Sequence, residues 1–394
     1  FQRSRRVIIM SEFKSSGFRD EFGNAGPDLV GITTLTSPYY FVPPSGTTAE
    51  RPQNPAPGML RFNTDIGRLE IWKNDHWETI LGETPSMSNQ QVTNSAGGFG
   101  TRAVYMGGGN PGQVNDIDYI TIETLGNAQD FGNLTGNERG ASNGQAGSRV
   151  KGLAMGGSVS GYNVESIKFA STGSAVNHGN LFGTNRRLGG GVSNQTRALF
   201  AGGMNPTNFN IIDMVDIAST GNAKDFGDLS VTTYFVSGLS SCVRGIFSMG
   251  RETPSPHFFG ELEYVTLSTQ GNSQDFGDLS LARAPDGAAN AVRGIFIGGQ
   301  TPSITATNVI DFIIIASTGN AQDFGDLTTG KTMGASVTSP TRCVHIAGKN
   351  NSSSFIDEMD YVQIATAGNA IAFGELAGTD RFRGTGASSG HGGL

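Results

Sequence analysis

The phrase Gly319-Asn320-Ala321-Gln322-Asp323-Phe324-Gly325-Asp326-Leu327 occurs in the chain six times, with small changes. Its leading glycines are Gly126, Gly173, Gly221, Gly271, Gly319 and Gly368, at intervals of 47, 48, 50, 48 and 49 residues. Five residues after each glycine stands Phe131, His178, Phe226, Phe276, Phe324 or Phe373, and three further on a leucine, Leu134, Leu181, Leu229, Leu279, Leu327 or Leu376. A fixed period of this size marks a repeat protein, in which each unit buries its apolar face only against its neighbours. Glycine supplies 58 of 394 residues and charged residues only 15%. That composition favours tightly turned β-structure over helical repeats.

Aligned on the glycine, each unit offers four short β-segments. The first is rich in small residues, as in Gly140-Ala141-Ser142 and Gly334-Ala335-Ser336; the second begins with a cation and ends in glycine, as in Arg293–Gly299. The third is acidic then apolar, as in Asp311–Ile315, and the fourth is the phrase itself. Four strands in about 48 residues describe a β-propeller blade. The fold predicted for residues 86–394 is therefore all-β, a six-bladed propeller of four-stranded blades. Residues Arg381 and Gly386-Ala387-Ser388 repeat the opening of a unit and go no further, while Ser95-Ala96-Gly97-Gly98 opens the first unit irregularly. The carboxy-terminal strand is thus expected to complete the first blade and remove the open edges.

Two charged rows recur. Arg102, Lys151, Arg197, Arg244, Arg293 and Arg342 stand five residues before the glycine pair; Asp118, Glu165, Asp213, Glu263, Asp311 and Asp360 stand eight before the leading glycine. The rows are expected to pair with each other in or between blades, a structural role that repeats with the fold.

Residues 1–50 read as an extended arm and residues 51–85 as a small β-meander. Met59–Asn63, Leu69–Trp72 and His76–Ile80 alternate apolar and polar residues between turns. A three-stranded sheet of this size is marginal alone. Tyr39, Tyr40, Phe41, Trp72 and Trp77 are the candidate attachment residues, apolar groups on segments too small to bury them unaided. The first nine residues, FQRSRRVII, are too short for a signal peptide, and Met10 is a candidate initiator, the residues before it an alternative start or a processing remnant.

Chemistry is thin. His76, His178, His257, His345 and His391 have no metal-ligand spacing to one another or to cysteine, and His178 takes the phenylalanine place of its repeat. No nucleophile elbow, carboxylate pair or phosphate loop stands out, so no catalytic residue, cofactor or metal is assigned. Cys242 and Cys343 lie in different repeats and read as small buried or half-buried thiols. The net charge of −7 gives no reason to expect nucleic acid, and no stretch is long and apolar enough for a membrane span. The turns before the fourth strands are near-identical, whereas the connections between second and third strands differ. Phe209, His257, Phe258, Phe259 and Phe355 lie on those variable connections and are the candidate binding residues, for a sugar or a protein surface.

The blade pattern of residues 86–394 resembles the kelch propeller, with departures: Asp-Phe-Gly-Asp-Leu replaces the usual tryptophan position, and the glycine pair is lost at Met249-Gly250 and Ala347-Gly348. The wording Ile315–Leu327 is similar to repeats in structural proteins of tailed phages, especially those infecting marine cyanobacteria. Pro57–Asp65 followed by Leu69–Trp72 and Trp77, with Ser37–Pro44 ahead of it, resembles a short module of phage tail-fibre and whisker-type proteins. The resemblance implies a virion structural protein of the tail, neck or capsid. It would be anchored by its amino-terminal module to other virion proteins, assembled in the host cytoplasm and exposed on the particle. It implies binding to a host-surface glycan or protein, and trimeric assembly, although no heptad pattern is present. A propeller-type glycan-processing enzyme and a kelch-type protein-interaction adaptor remain as alternatives.

Overall fold

The computed structural model describes residues 43–73, 75–80, 101–110, 112–136, 143–157, 163–253, 257–378 and 380–394. The chain divides into two compact units, Phe1–Gly82 and Glu83–Leu394. Both are all-β, with no α-helix among the described residues.

In the smaller unit, Leu60–Asn63, Arg68–Trp72 and Trp77–Ile80 form the antiparallel meander that the alternation predicts. Ser45–Gly46 adds a parallel strand beside Phe62–Asn63. The end of the predicted arm therefore belongs to the sheet, and a boundary at residue 50 cuts through one body. The centre of this body is polar. Glu70 is fully buried and accepts hydrogen bonds from Arg51, from Arg61 (3.1 Å) and from the Asn63 amide (3.0 Å). The Arg51 hydrogen bond, first among the causes, holds the Glu70 carboxyl below its ordinary range. A carboxylate taken out of water is tolerated only when its oxygens are satisfied in this way.

The larger unit is a series of antiparallel strand sets. Four are complete along the chain: Gly190–Ser193 to Lys224–Thr233, Ser237–Ser240 to Gln274–Asp278, Ala284–Ala289 to Gln322–Asp326, and Ala335–Thr338 to Ile371–Glu375. In the first repeat, Arg102–Met106, Asp116–Thr121 and Gln129–Asn133 take their missing strand from Thr385–Ser388, in the register Thr385↔Met106 to Ser388↔Ala103. The second repeat forms three strands, Lys151–Met155, Asn163–Lys168 and Val176–Asn180. Its expected first strand, Gly140-Ala141-Ser142, lies outside the described residues. Residues 145–147 take that place instead: the Leu153 N–H donates to Ala146 O (3.0 Å), and Gly147 bridges Gly152. Just ahead, Asn143–Gly144 runs parallel to Gly190 on one side and Ser237–Gly238 on the other.

Second strands such as Ala103-Val104-Tyr105-Met106 are buried throughout, which explains why they read as unbroken apolar runs rather than alternating ones. The core lies between consecutive strand sets. One cluster joins Leu199, Ile212 and Phe226 of the third repeat to Phe247, Val265 and Leu267 of the fourth. Another joins Val344, Met359 and Phe373 of the sixth to Tyr105 and Ile122 of the first.

The recurring phrase is the seam between repeats. The leading glycine donates its N–H to the phenylalanine-position carbonyl of the preceding repeat: Gly173 to Phe131, Gly221 to His178, Gly271 to Phe226, Gly319 to Phe276 and Gly368 to Phe324. Gly126 donates to Phe373, which returns from the sixth repeat to the first. In every repeat but the second, where Ser174 stands in its place, the asparagine that follows accepts from a backbone N–H of that strand, as Asn369 Oδ1 does from Asp326 (3.1 Å). Strand edges meet closely there: at Gly325 a Cβ would lie 2.5 Å from Gly368 O. His178 is buried in the phenylalanine place, with Nε2 2.8 Å from Asp216 O.

Among the described residues no ion pair joins the two charged rows. In the first repeat Arg102 lies opposite Thr121, and Asp118 lies opposite Tyr105, three residues further along the strand. At about 3.3 Å per residue that separation is too long for an ion pair. The cations reach sideways instead, to carbonyls ending the next repeat's third strand: Arg102 to Phe169 O (2.7 Å), Lys151 to Ala218 O (2.9 Å), Arg197 to Ser268 O (2.9 Å), Arg244 to Ala316 O (3.0 Å), Arg293 to Ala365 O (2.9 Å), and Arg342 back to Glu123 O (2.9 Å). Four of the acids take a different, buried cation that enters just before a first strand: Asp213 with Arg186 (2.6 Å), Asp311 with Arg283 (2.8 Å), Asp360 with Lys331 (2.9 Å), and Asp118 with Arg381. Glu165 and Glu263 accept backbone N–H groups of Thr135 (3.1 Å) and Ser230 (3.2 Å).

The first strands are laced by hydroxyls. Ser193 donates to Gly147 O, Ser240 to Ser193 O, Thr338 to Ala289 O and Ser388 to Thr338 O. The segment after Ser388 is buried among them. His391 Nε2 lies 3.2 Å from Gly147 O and 3.3 Å from Ser193 Oγ, and the Gly392 N–H donates to Ala289 O. Cys343 is buried, its thiol pKa pushed up by burial, whereas Cys242 is exposed, against the expectation for it.

Candidate binding face

The connections between second and third strands gather on one side of the larger unit with the segments that lead into the first strands. The bridge between Gly109 and Phe382 ties one of each together. Phe355 stacks on Phe382, with ring centroids 4.5 Å apart and planes within 5°. Phe209 is half-buried beside the Arg186 guanidinium (5.8 Å). His257 is exposed, edge-on to Phe259 at 4.7 Å. Phe258 and Phe259 are 5% and 9% exposed, so they anchor their connection rather than present a stacking surface. Phe258 packs with Leu188, Tyr234, Phe235 and Ala284.

The leading segments share an unusual backbone. Leu188 (φ 60°), Phe235 (φ 56°), Met333 (φ 58°) and Arg383 (φ 61°) occupy one position, five residues before the last residue of four first strands. Side chains other than glycine rarely adopt this region, and such positions concentrate where function needs them. The turn is held by hydrogen bonds such as Arg383 N–H to Met333 O (2.7 Å).

Three arginines that the repeat pattern does not include come together among these segments. Arg383 lies over Phe235 (5.4 Å) and Phe382 (5.1 Å). Arg251 lies over Tyr234 and Phe235 (4.9 Å each) and over Phe258 (5.5 Å), and donates to Gln300 Oε1 (3.1 Å). Arg187 and Arg383 line one cavity of about 110 Å³ with Gly108, Gly109, Gln113 and Phe382. Burial first, then the like charges of Arg187 and Arg251, pulls the Arg383 guanidinium below its ordinary pKa. Sequence reasoning passed over Arg187, Arg251 and Arg383. Their signal was an off-pattern cation beside or near a recurring position, Arg187 next to Arg186 and Arg383 two residues after Arg381.

Of the attachment residues, Tyr39, Tyr40 and Phe41 lie outside the described residues. Trp72 and Trp77 are half-buried neighbours, edge-on at 5.6 Å, with Arg61 5.9 Å from the Trp77 ring. Among the described residues no group of three or more His, Cys, Asp or Glu side chains is arranged to hold a metal. In comparisons with known proteins, no family model and no curated protein matches the chain.

Proposed function

We propose that the chain is a virion structural protein of a tailed phage, a kelch-like six-bladed propeller carried on an amino-terminal attachment module and used to bind a host surface or another protein. The observation that carries this reading is the cyclic set of seams. Six glycine N–H contacts and six cation contacts each step from one repeat to the next and return from the sixth to the first. Contacts that step from each repeat to the next and from the sixth to the first support a rigid display scaffold, with uniform turns serving the fold and dissimilar connections free for recognition. The recurrent acids and cations are spent on seams and buried pairs, which favours binding over hydrolysis. Trp72 and Trp77, with Tyr39, Tyr40 and Phe41 ahead of them, are the residues proposed to hold the particle partner.

The test separates binding from turnover. Purified full-length protein is incubated with bacterial surface polysaccharides, and bound protein and released oligosaccharide are measured separately. Binding with no product is expected. Release of product would favour the glycan-processing alternative, and neither binding nor product would remove the host-surface reading. Mass spectrometry of purified particles should find the chain, and its loss from particles carrying Trp72→Ala with Trp77→Ala would support the attachment role.

A further inference from the structure

The arginines of the binding face divide into two kinds. Arg186, Arg283 and Arg381 sit in ion pairs with Asp213, Asp311 and Asp118. No ion pair among the described residues includes Arg187, Arg251 or Arg383, although all three are half-buried at one ring. Buried Nε atoms without a hydrogen-bond partner occur in both kinds, in Arg251 and Arg383 as in Arg186 and Arg381, so the missing ion pair is what sets Arg187, Arg251 and Arg383 apart. Gathering like charges out of water without a counter-charge is costly. The aromatic faces of Tyr234, Phe235, Phe258 and Phe382 offset part of it through cation–π contact. An anion would offset the rest.

The cavity between Arg187 and Arg383 sets the size of that anion. At about 110 Å³ it admits one compact anionic group rather than a strand of peptide or nucleic acid. Guanidinium groups match the planar or tetrahedral oxygens of carboxylate and sulfate, and both can be held by two parallel N–H donors. Phe382 forms one wall, itself steadied by stacking on Phe355.

We propose that this cavity is a binding site for an acidic sugar, the carboxylate or sulfate seated between Arg187 and Arg383 and the pyranose at the cavity mouth. Arg251, behind Phe235, adds attraction without direct contact. The site stands on its own geometry and does not depend on the protein belonging to a virion.

Titration calorimetry of the full chain with methyl glucuronide, a monosulfated galactoside, inorganic sulfate, methyl glucoside and an aspartate-rich peptide tests it. The uronide or the sulfated sugar should bind, sulfate more weakly, and the neutral glucoside not at all. Arg187→Gln and Arg383→Gln should each weaken binding about tenfold or more, since each removes a charge-assisted pair. Raising salt should weaken binding further. Arg187 is the second variant because its backbone lies outside the left-handed position that Arg383 occupies, so a folding defect in Arg383→Gln leaves the test intact. Which acidic sugar binds better decides between carboxylate and sulfate. Equal binding of the neutral glucoside, undiminished binding by both variants, or binding only of an aspartate-rich peptide would overturn the proposal, as would no binding by any probe.

Discussion

Gly319 and Gly325 begin and end the same turn-and-strand unit and have nearly the same backbone, φ +151° and +149°. They differ in their surroundings. A Cβ at Gly319 meets nothing within 4 Å, whereas one at Gly325 would lie 2.5 Å from Gly368 O and 2.6 Å from Gly368 C. Gly319→Ala therefore isolates the cost of a side chain at this φ, about 1–3 kcal/mol. Gly325→Ala carries that cost and pushes the Gly368 peptide back by about 0.9 Å, to ordinary van der Waals contact. Three seam hydrogen bonds cross at that point: Gly368 N–H to Phe324 O (2.8 Å), Ala370 N–H to Asp326 O (2.7 Å) and Asp326 N–H to Asn369 Oδ1 (3.1 Å). At about 1 kcal/mol each, their loss makes Gly325→Ala worse by about 3 kcal/mol. For a unit of this length that is an additional fall in Tm of about 5 °C. Scanning calorimetry of the two variants beside the parent reads the difference directly. If both melt at the same temperature, the second glycine is required for its backbone angle alone, and close packing of the seam is not what fixes the phrase.

Deleting residues 377–394 removes the strand paired with Arg102–Met106 and should abolish a single cooperative melt; an unchanged melting profile would show that this pairing contributes nothing to closure. Burial lowers the His391 pKa to about 4, so the stability it confers is present above its ordinary 6.5 and is lost as pH falls towards 4. His391→Asn should flatten the decline in that range, by up to about 3 kcal/mol. Asp213, raised to about 6 chiefly by burial, contributes in the opposite sense, gaining stability as pH falls from 6 to its ordinary 3.8; Asp213→Asn should steepen the acid-side decline, as followed by urea melts at several pH values. Phe258→Ala should lower stability by about 3–5 kcal/mol because the ring is packed among Leu188, Tyr234 and Phe235, and an unaffected urea midpoint would contradict that placement.

The repeat phrase made the strand plan legible because its chemistry is local and recurs: the leading glycine does one job at every seam, and Asn and Phe do theirs at all but the second repeat, where Ser174 and His178 replace them. The carboxy-terminal strand was legible for the same reason, since Gly386-Ala387-Ser388 reproduces a unit opening. The pairing of the charged rows was not. A cation and an acid on adjacent strands look like partners in sequence, but register sets Arg102 opposite Thr121 and turns it towards Phe169. The variability of the second-to-third connections singled out the candidate face, while the burial of its aromatic residues was not legible. Phe258 turns inward because the second-to-third connection of its repeat folds back as a hairpin, Arg251–Glu252 against His257–Phe258. Arg187, Arg251 and Arg383 meet only through the closing of distant segments, which no spacing along the chain encodes.

The pairing of Thr385–Ser388 with Arg102–Met106 also sets a timetable for synthesis. Arg102–Met106 is among the first strands of the larger unit to leave the ribosome, and its partner is among the last. At about 5–20 residues per second, that edge waits roughly 15 to 60 seconds unpaired. Closing a loop of this length costs about 5 kcal/mol of chain entropy by the logarithmic rule, so the last strand joins only after the seams between the other repeats have brought the ends together. Throughout that interval a row of free N–H and C=O groups is open to any other extended chain. Crowded nascent chains of this protein are thus most exposed to cross-pairing at their oldest strand, and moving residues 385–394 ahead of residue 101 in a permuted gene would shorten the wait to a few seconds.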